Sequence, residues 1–303
     1  MNLPEPLPVT FTSLMGDIEK GTIKIPQFQR DFVWSKERSA RLLDSIVKGY
    51  PIGTFILWKT KEELRALRNL GGLDLPPTQE GAFIHYVLDA QQRLTSLFAS
   101  LKGLKIQRED HEDDYSEFYL DLEAAEDEPI VLTERADTDH HRTIRLHDLL
   151  YGKLKTLTGY PEPLQDRIQS YRDRINAYQF SAILVKEAPI DVATEIFTRL
   201  NVSGKPLSVF EIMVAKTFDS KRDFDLAEKF DALVAELDTV DYGTLPESVV
   251  LQTISILLVR ECRKKDILKL PRKKIIEIWP AAADAIKEAA EDFRNAYRIP
   301  VAR

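Results

Sequence analysis

Apolar positions along the chain switch repeatedly between a period of two and a helical period. The central switch lies at Phe83, Ile84, Tyr86, Val87 and Leu88, an apolar run that predicts a buried strand. It turns at Asp89-Ala90 into Leu94, Leu97, Phe98 and Leu101, whose spacing predicts a helix over 89–101. Before this corner the pattern predicts a helix over Phe11–Lys20, a short strand over Thr22–Ile25, and a helix from the N-cap Ser35 to Gly49. A second apolar strand follows over Pro51–Trp58. Residues 1–8 are Pro-rich and read as a loose arm, and residues 60–82 read as a polar insertion.

After the corner, Tyr115–Leu122 and Pro129–Thr133 read as paired strands around a solvated acidic turn, Glu123–Glu128. Leu146–Leu154, Glu162–Asn176 and Asp191–Leu200 read as helices, with a strand over Tyr178–Val185. From Pro206 onward the pattern holds helices alone: Ser208–Phe218, Phe224–Leu237, Glu247–Glu261, Arg272–Trp279 and Ala281–Tyr297. The expected fold class is α+β, with a mixed domain over 1–205 and an all-helical domain over 206–303.

Composition narrows the chemistry. The chain has 303 residues, 44% hydrophobic and 30% charged, as a soluble globule would. Its single cysteine, Cys262, excludes an internal disulfide and a four-cysteine zinc site. With no secretory signal and no apolar run long enough to cross a membrane, a cytoplasmic location is expected. A net charge of −7 argues against a dedicated basic DNA binder, whose affinity would come from cations on phosphates. It leaves room for a local patch. The densest basic run is Arg260, Arg263, Lys264, Lys265, Lys269, Arg272, Lys273 and Lys274, a candidate DNA or partner surface or a solvated helix face.

Three polar clusters interrupt otherwise apolar patterning: Gln27–Trp34, Asp89–Thr95 and Arg199–Leu207. A strand running directly into a helix offers N–H donors and the helix dipole to an anion, and the second cluster occupies such a corner. The plainer reading is an Asp89 cap with a solvated first turn. The third cluster also reads as a helix C-cap, with Gly204 at positive φ and Pro206 opening the next helix. Gly16 to Thr22 has P-loop glycine spacing but lacks its lysine, and it sits at a helix end. No Gly-x-Gly-x-x-Gly or Gly-x-Ser-x-Gly occurs, and His111, His140 and His141 read as surface residues.

Four segments together resemble a known family: Ile25–Trp34, Leu43–Ile46 with Gly49–Gly53, Leu88–Thr95, and Ile196–Leu207. In that order they are similar to the N-terminal domain of GmrSD-type modification-dependent restriction systems, which include phosphorothioate-dependent anti-phage effectors. The resemblance implies a ParB/sulfiredoxin-like fold and binding and hydrolysis of a nucleoside triphosphate, GTP or ATP, with Mg²⁺. It also implies coupling to restriction of DNA carrying a modification, through a nuclease domain or separate nuclease subunit. Homo-oligomerisation is left open.

Carried over by position, the motif residues are Asp89, Gln91, Gln92 and Arg93, with Gln29 and Arg30 from the first segment and Asn201, Gly204 and Lys205 from the last. Arg93 and the helix N–H groups would hold phosphates, Thr95 would add a hydroxyl, and Asp89 would hold Mg²⁺. Gln91 or Gln92 would position the attacking water, and Arg30 would face the γ-phosphate. In the alternative reading the domain senses modified DNA without hydrolysis. Phe28 and Trp34 would then stack on DNA, with Arg263, Lys264, Lys265, Arg272 and Lys273 as further contacts. Two features depart from the family pattern. Ala90 stands where the family has glycine, which matters if the turn needs positive φ. The chain also has no histidine after His147, so a His-metal nuclease is not expected in the helical half.

Overall fold

The computed structural model describes residues 3–26, 29, 32–62, 64, 69–70, 73–79, 81–108, 110–125, 127–135, 142–200, 208–219, 222–240 and 242–295. The chain forms two compact units. The first comprises Met1–Ile25, Gln29–Lys61 and Leu67–Ala188, and the second Pro26–Phe28, Glu62–Ala66 and Pro189–Arg303. The division falls at Ala188/Pro189 rather than at the expected 205/206, so the helix after Pro189 joins the helical unit.

In chain order the first unit contains β1 (Glu5–Thr10), α1 (Phe11–Glu19), β2 (Ile23–Lys24), α2 (Lys36–Val47), β3 (Thr54–Thr60), β4 (Asn69–Leu70), β5 (Leu73–Asp74), β6 (Ile84–Asp89) and α3 (Gln91–Lys102). It continues through β7 (Lys105–Gln107), β8 (Glu112–Asp114), β9 (Tyr119–Asp121), β10 (Val131–Leu132), β11 (Thr143–Arg145), α4 (Leu146–Tyr151), α5 (Leu154–Leu157), α6 (Glu162–Ala177) and β12 (Gln179–Lys186). A five-stranded mixed sheet in the order β1-β12-β3-β6-β2 organises the unit. Its β12–β3 and β2–β6 pairs are parallel, and its β1–β12 and β3–β6 pairs antiparallel. Phe55, Leu57, Val87, Phe180, Ala182 and Leu184 line the sheet's contribution to a core that α1, α2, α3 and α6 complete. A smaller sheet, β10-β9-β11, pairs Val131 with Leu120, within the two segments expected to pair, though its strands are shorter than those segments.

The proline-rich start is not a loose arm. Residues Glu5–Thr10 form an edge strand on β12, with Pro6 opposite Ile183 and Pro8 opposite Ser181. Two prolines two residues apart present their nitrogens to the same side. On an edge strand that side can face away from the ladder, so no inter-strand bond is lost. Asp44 of α2 ties two layers together. Its Oδ1 accepts the N–H groups of Ile130 at 2.6 Å and Val131 at 3.3 Å, while Oδ2 pairs with Lys48 at 2.9 Å.

The second unit contains α7 (Ile190–Leu200), α8 (Val209–Thr217), α9 (Leu226–Asp238), α10 (Glu247–Val259), α11 (Lys264–Ile267) and α12 (Arg272–Asn295). Its only bridge outside a named strand, among the described residues, joins Asp219 to Phe224. Ser208 and Glu211 close a capping box on α8. The two helices expected on either side of Pro280 are one helix, α12, with the proline inside it. Ile275, Trp279, Ala282, Ile286 and Ala290 form one buried stripe through that point. Pro280 itself is exposed, so the carbonyl it leaves unpaired can bond water. No helix of the described residues is long and apolar enough to cross a membrane.

Candidate functional site

β6 ends at Asp89 and α3 starts at Gln91, so a single residue, Ala90, makes the turn. Ala90 has φ 72° and ψ 22°, in the left-handed region, and α3 has no side-chain cap. Asp89 is therefore not the cap of the helix. The turn requires positive φ at the position where the resemblance expects glycine, and alanine occupies it under strain. Just before the turn, Ile56 opposes Asp89 while Leu57 opposes Val87, leaving Leu88 as an extra residue in β6. Such a bulge bends the strand and re-aims the side chains that follow it.

The first turn of α3 is buried rather than solvated. Gln91 is 5% exposed and Gln92 7% exposed. Gln92 Nε2 donates to Gln91 Oε1 at 2.9 Å, and Gln92 Oε1 accepts the Val33 N–H at 2.8 Å. Thr95 is also buried, and its hydroxyl has no hydrogen-bond partner among the described residues. It therefore belongs to the packed side of the helix rather than to an open mouth.

Arg93 reaches sideways from α3 to the start of β3. Its Nη1 donates to Ile52 O and its Nη2 to Thr54 O at 3.1 Å, with Asp89 Oδ2 at 3.7 Å from Nη2. Gly53, between those two carbonyls, has φ +87°, and a Cβ there would stand 2.3 Å from Arg93 Nη1, too close for the guanidinium to stay where it is. Burial pulls the Arg93 guanidinium below its ordinary value, and Asp89 opposes that shift. A guanidinium carries five donors, so these contacts leave donors for a ligand.

The first motif segment closes over this corner. Gln29 is buried and its Nε2 donates to Val87 O. The His85 N–H bonds Thr22 O, so by the strand's period of two the peptide groups of Val87 face the same edge. β2 pairs only with His85 and Tyr86, and the Gln29 carboxamide continues the bonding where that pairing stops. Arg108 donates to Phe32 O and, at 2.8 Å, to Trp34 O. The Tyr115 hydroxyl adds a bond to Trp34 O at 3.3 Å, and burial pushes that hydroxyl's pKa up. One face of Trp34 is covered by Arg38, whose guanidinium carbon lies 4.2 Å from the ring centre, while Val33 is 61% exposed.

The structure thus brings Gln29, Asp89, Gln91, Gln92, Arg93 and Thr95 into one region of the first unit, with Trp34 on its rim. Phe28, Arg30, Asn201, Gly204 and Lys205 lie outside the described residues. Arg199 is exposed and pairs with Glu195 at 2.6 Å. The basic run carries partners of its own. Arg263 pairs with Asp266 at 2.8 Å and Glu261 at 3.3 Å, Lys273 approaches Glu277 at 3.9 Å, and Arg272 donates to Phe218 O at 3.2 Å. Lys264 and Lys265 are exposed on α11. Sequence reasoning missed Arg108, Tyr115 and the packing role of Gly53. Gly53 lies within a segment that resembles the family, whereas Arg108 sits in an unpatterned polar run.

Comparison with known proteins adds two findings. Residues 11–218 match the family profile described as the GmrSD restriction endonuclease N-terminal domain. The chain is also 25% identical over 232 residues to the uncharacterized protein MJ0686 of Methanocaldococcus jannaschii, an alignment covering 66% of this chain and 40% of that relative. The chain therefore spans less than half the length of this curated relative.

Proposed function

This chain belongs to the family of GmrSD restriction endonuclease N-terminal domains, and from that premise we propose that the Asp89–Arg93 corner binds and hydrolyses GTP or ATP. On this reading the domain reports modified DNA to an associated nuclease, in a ParB/sulfiredoxin-like scaffold within the cytoplasm. The observation that carries the reading is the buried, uncapped first turn of α3. A helix that needed only a start would not bury two interlocked carboxamides beside a guanidinium.

The donor set fits an anion. Arg93 supplies fixed positive charge, and the α3 N-terminus contributes its dipole. Gln92 has both ends of its carboxamide engaged, so it orients Gln91. Gln91, with its oxygen already accepting, presents its amino end to a phosphate or water oxygen. Asp89 is the carboxylate of the corner, with its side chain 38% exposed. Mg²⁺ takes hard oxygen ligands and is commonly brought in with phosphates on one or two carboxylates. Asp89 would then be its protein ligand, and the ion would neutralise charge on the phosphates when bound.

The test is phosphate release from GTP and ATP with Mg²⁺, with and without modified duplex, in wild-type and Asp89→Ala proteins. Turnover in wild type that falls about a hundredfold in the variant supports the reading. Absence of both turnover and nucleotide binding in wild type overturns it and leaves direct recognition of modified DNA.

A further inference from the structure

Arg108 lies just past β7, in the run Gln107-Arg108-Glu109-Asp110, and faces the first motif segment. Its fork is fully directed. Nη1 donates to Phe32 O, Nη2 donates to Trp34 O at 2.8 Å, and Nε donates to Asp113 Oδ2 on β8 at 2.8 Å. The Phe32 ring lies beside the same guanidinium, with its centre 5.0 Å from the guanidinium carbon. Arg108 therefore holds the two carbonyls that flank Val33, and Asp113 holds Arg108.

With both neighbouring carbonyls fixed, the orientation of the Val33 peptide is fixed too. Its N–H donates to Gln92 Oε1 at 2.8 Å. A carboxamide whose oxygen is held this way must point its amino end elsewhere, and Gln92 Nε2 donates to Gln91 Oε1 at 2.9 Å. That contact in turn commits the Gln91 oxygen and directs its amino end outward from the pair.

We infer that Arg108 is a positioning residue that sets the polarity of the Gln92–Gln91 pair through the Phe32–Trp34 backbone. The corner then presents donors and selects an anionic ligand. The part concerning ligand affinity rests on the nucleotide reading above; the part concerning carboxamide orientation does not. Arginine is required at this position because a planar fork can bond two carbonyls and a carboxylate together, whereas an ammonium is a point charge.

The experiment compares wild type with Arg108→Lys, Arg108→Ala and the milder Asp113→Asn. Two readouts are taken from each protein. One is the side-chain amide resonances of Gln91 and Gln92, assigned with Gln91→Ala and Gln92→Ala. The other is the affinity for GTP with Mg²⁺. The expected result is that the Gln92 and Gln91 amide signals shift in all three Arg108 and Asp113 variants, with Arg108→Lys no better than Arg108→Ala. GTP affinity is expected to fall about tenfold in the Arg108 variants. Unmoved amide signals in folded Arg108→Ala or Asp113→Asn protein overturn the inference, as does full recovery by Arg108→Lys. If wild type binds no GTP, the nucleotide reading fails, and the amide signals alone still decide whether Arg108 orients the pair.

Discussion

The Arg93 guanidinium occupies the space in which a side chain at Gly53 would have to stand. The two residues come from different elements, α3 and the approach to β3, and the contact locks one to the other through Ile52 O and Thr54 O. Gly53→Ala is expected to lose about 2 kcal/mol or more, from positive φ and from the bonds Arg93 must give up. Urea unfolding measures it. A change within a few tenths of a kcal/mol would show that the interlock carries no energy.

Ala90 supports a prediction of opposite sign. Alanine at φ 72° is strained, and glycine is not. Ala90→Gly is expected to stabilise the protein by about 0.5–1 kcal/mol, the loss of strain exceeding the added freedom of the unfolded chain. The midpoint of urea unfolding should rise with its slope unchanged. Ala90→Val, which adds a β-branch at the same φ, should lower it.

Asp44 lies in a segment shared with the family, yet the structure gives it an architectural task. Asp44→Ala leaves the Ile130 and Val131 N–H groups without their acceptor and should cost about 2 kcal/mol. Nucleotide affinity per folded molecule should stay as in wild type. A variant of unchanged stability and reduced affinity would instead place Asp44 in the site.

His85 makes stability depend on pH. Burial, aided by the Lys59 charge, holds its pKa below the ordinary 6.5, while Asp17 partly opposes this. The unfolded chain therefore binds a proton more readily than the folded one. As pH falls from 7 through 6.5 and below, the unfolded state takes up that proton first, so stability should drop. His85→Gln should flatten this part of the stability–pH curve. A wild-type curve that does not fall between pH 7 and 5 would contradict the assignment.

Much of this was legible from residue patterns. The strand-to-helix switch at Asp89, the Ser35 cap and the helical second half all follow from local periodicity and capping chemistry. What local patterns do not carry is pairing. Pro6 and Pro8 are compatible with a strand only because that strand is an edge, and edge position is a property of the sheet. Pro280 is compatible with a helix because it lies on the exposed face of α12, away from the buried stripe. Arg108 looks like any surface cation until the β7–β8 turn carries it to Phe32 and Trp34. The motif residues themselves were visible, but their division of labour was not. That Gln92 orients Gln91 is a matter of which atoms meet.

Hydrogen exchange of wild-type protein, with and without saturating GTP or ATP and Mg²⁺, tests the central claim most directly. The amides of Gln91, Gln92 and Arg93 sit in the first turn of a helix with no side-chain cap, so they have no intrahelical acceptor and are the donors a bound anion would take. Bound phosphate should slow them strongly, together with the Val33 amide that closes the corner. Protection centred on these residues is the expected result. Saturating nucleotide that leaves them unprotected, or protects a different region instead, would contradict the account.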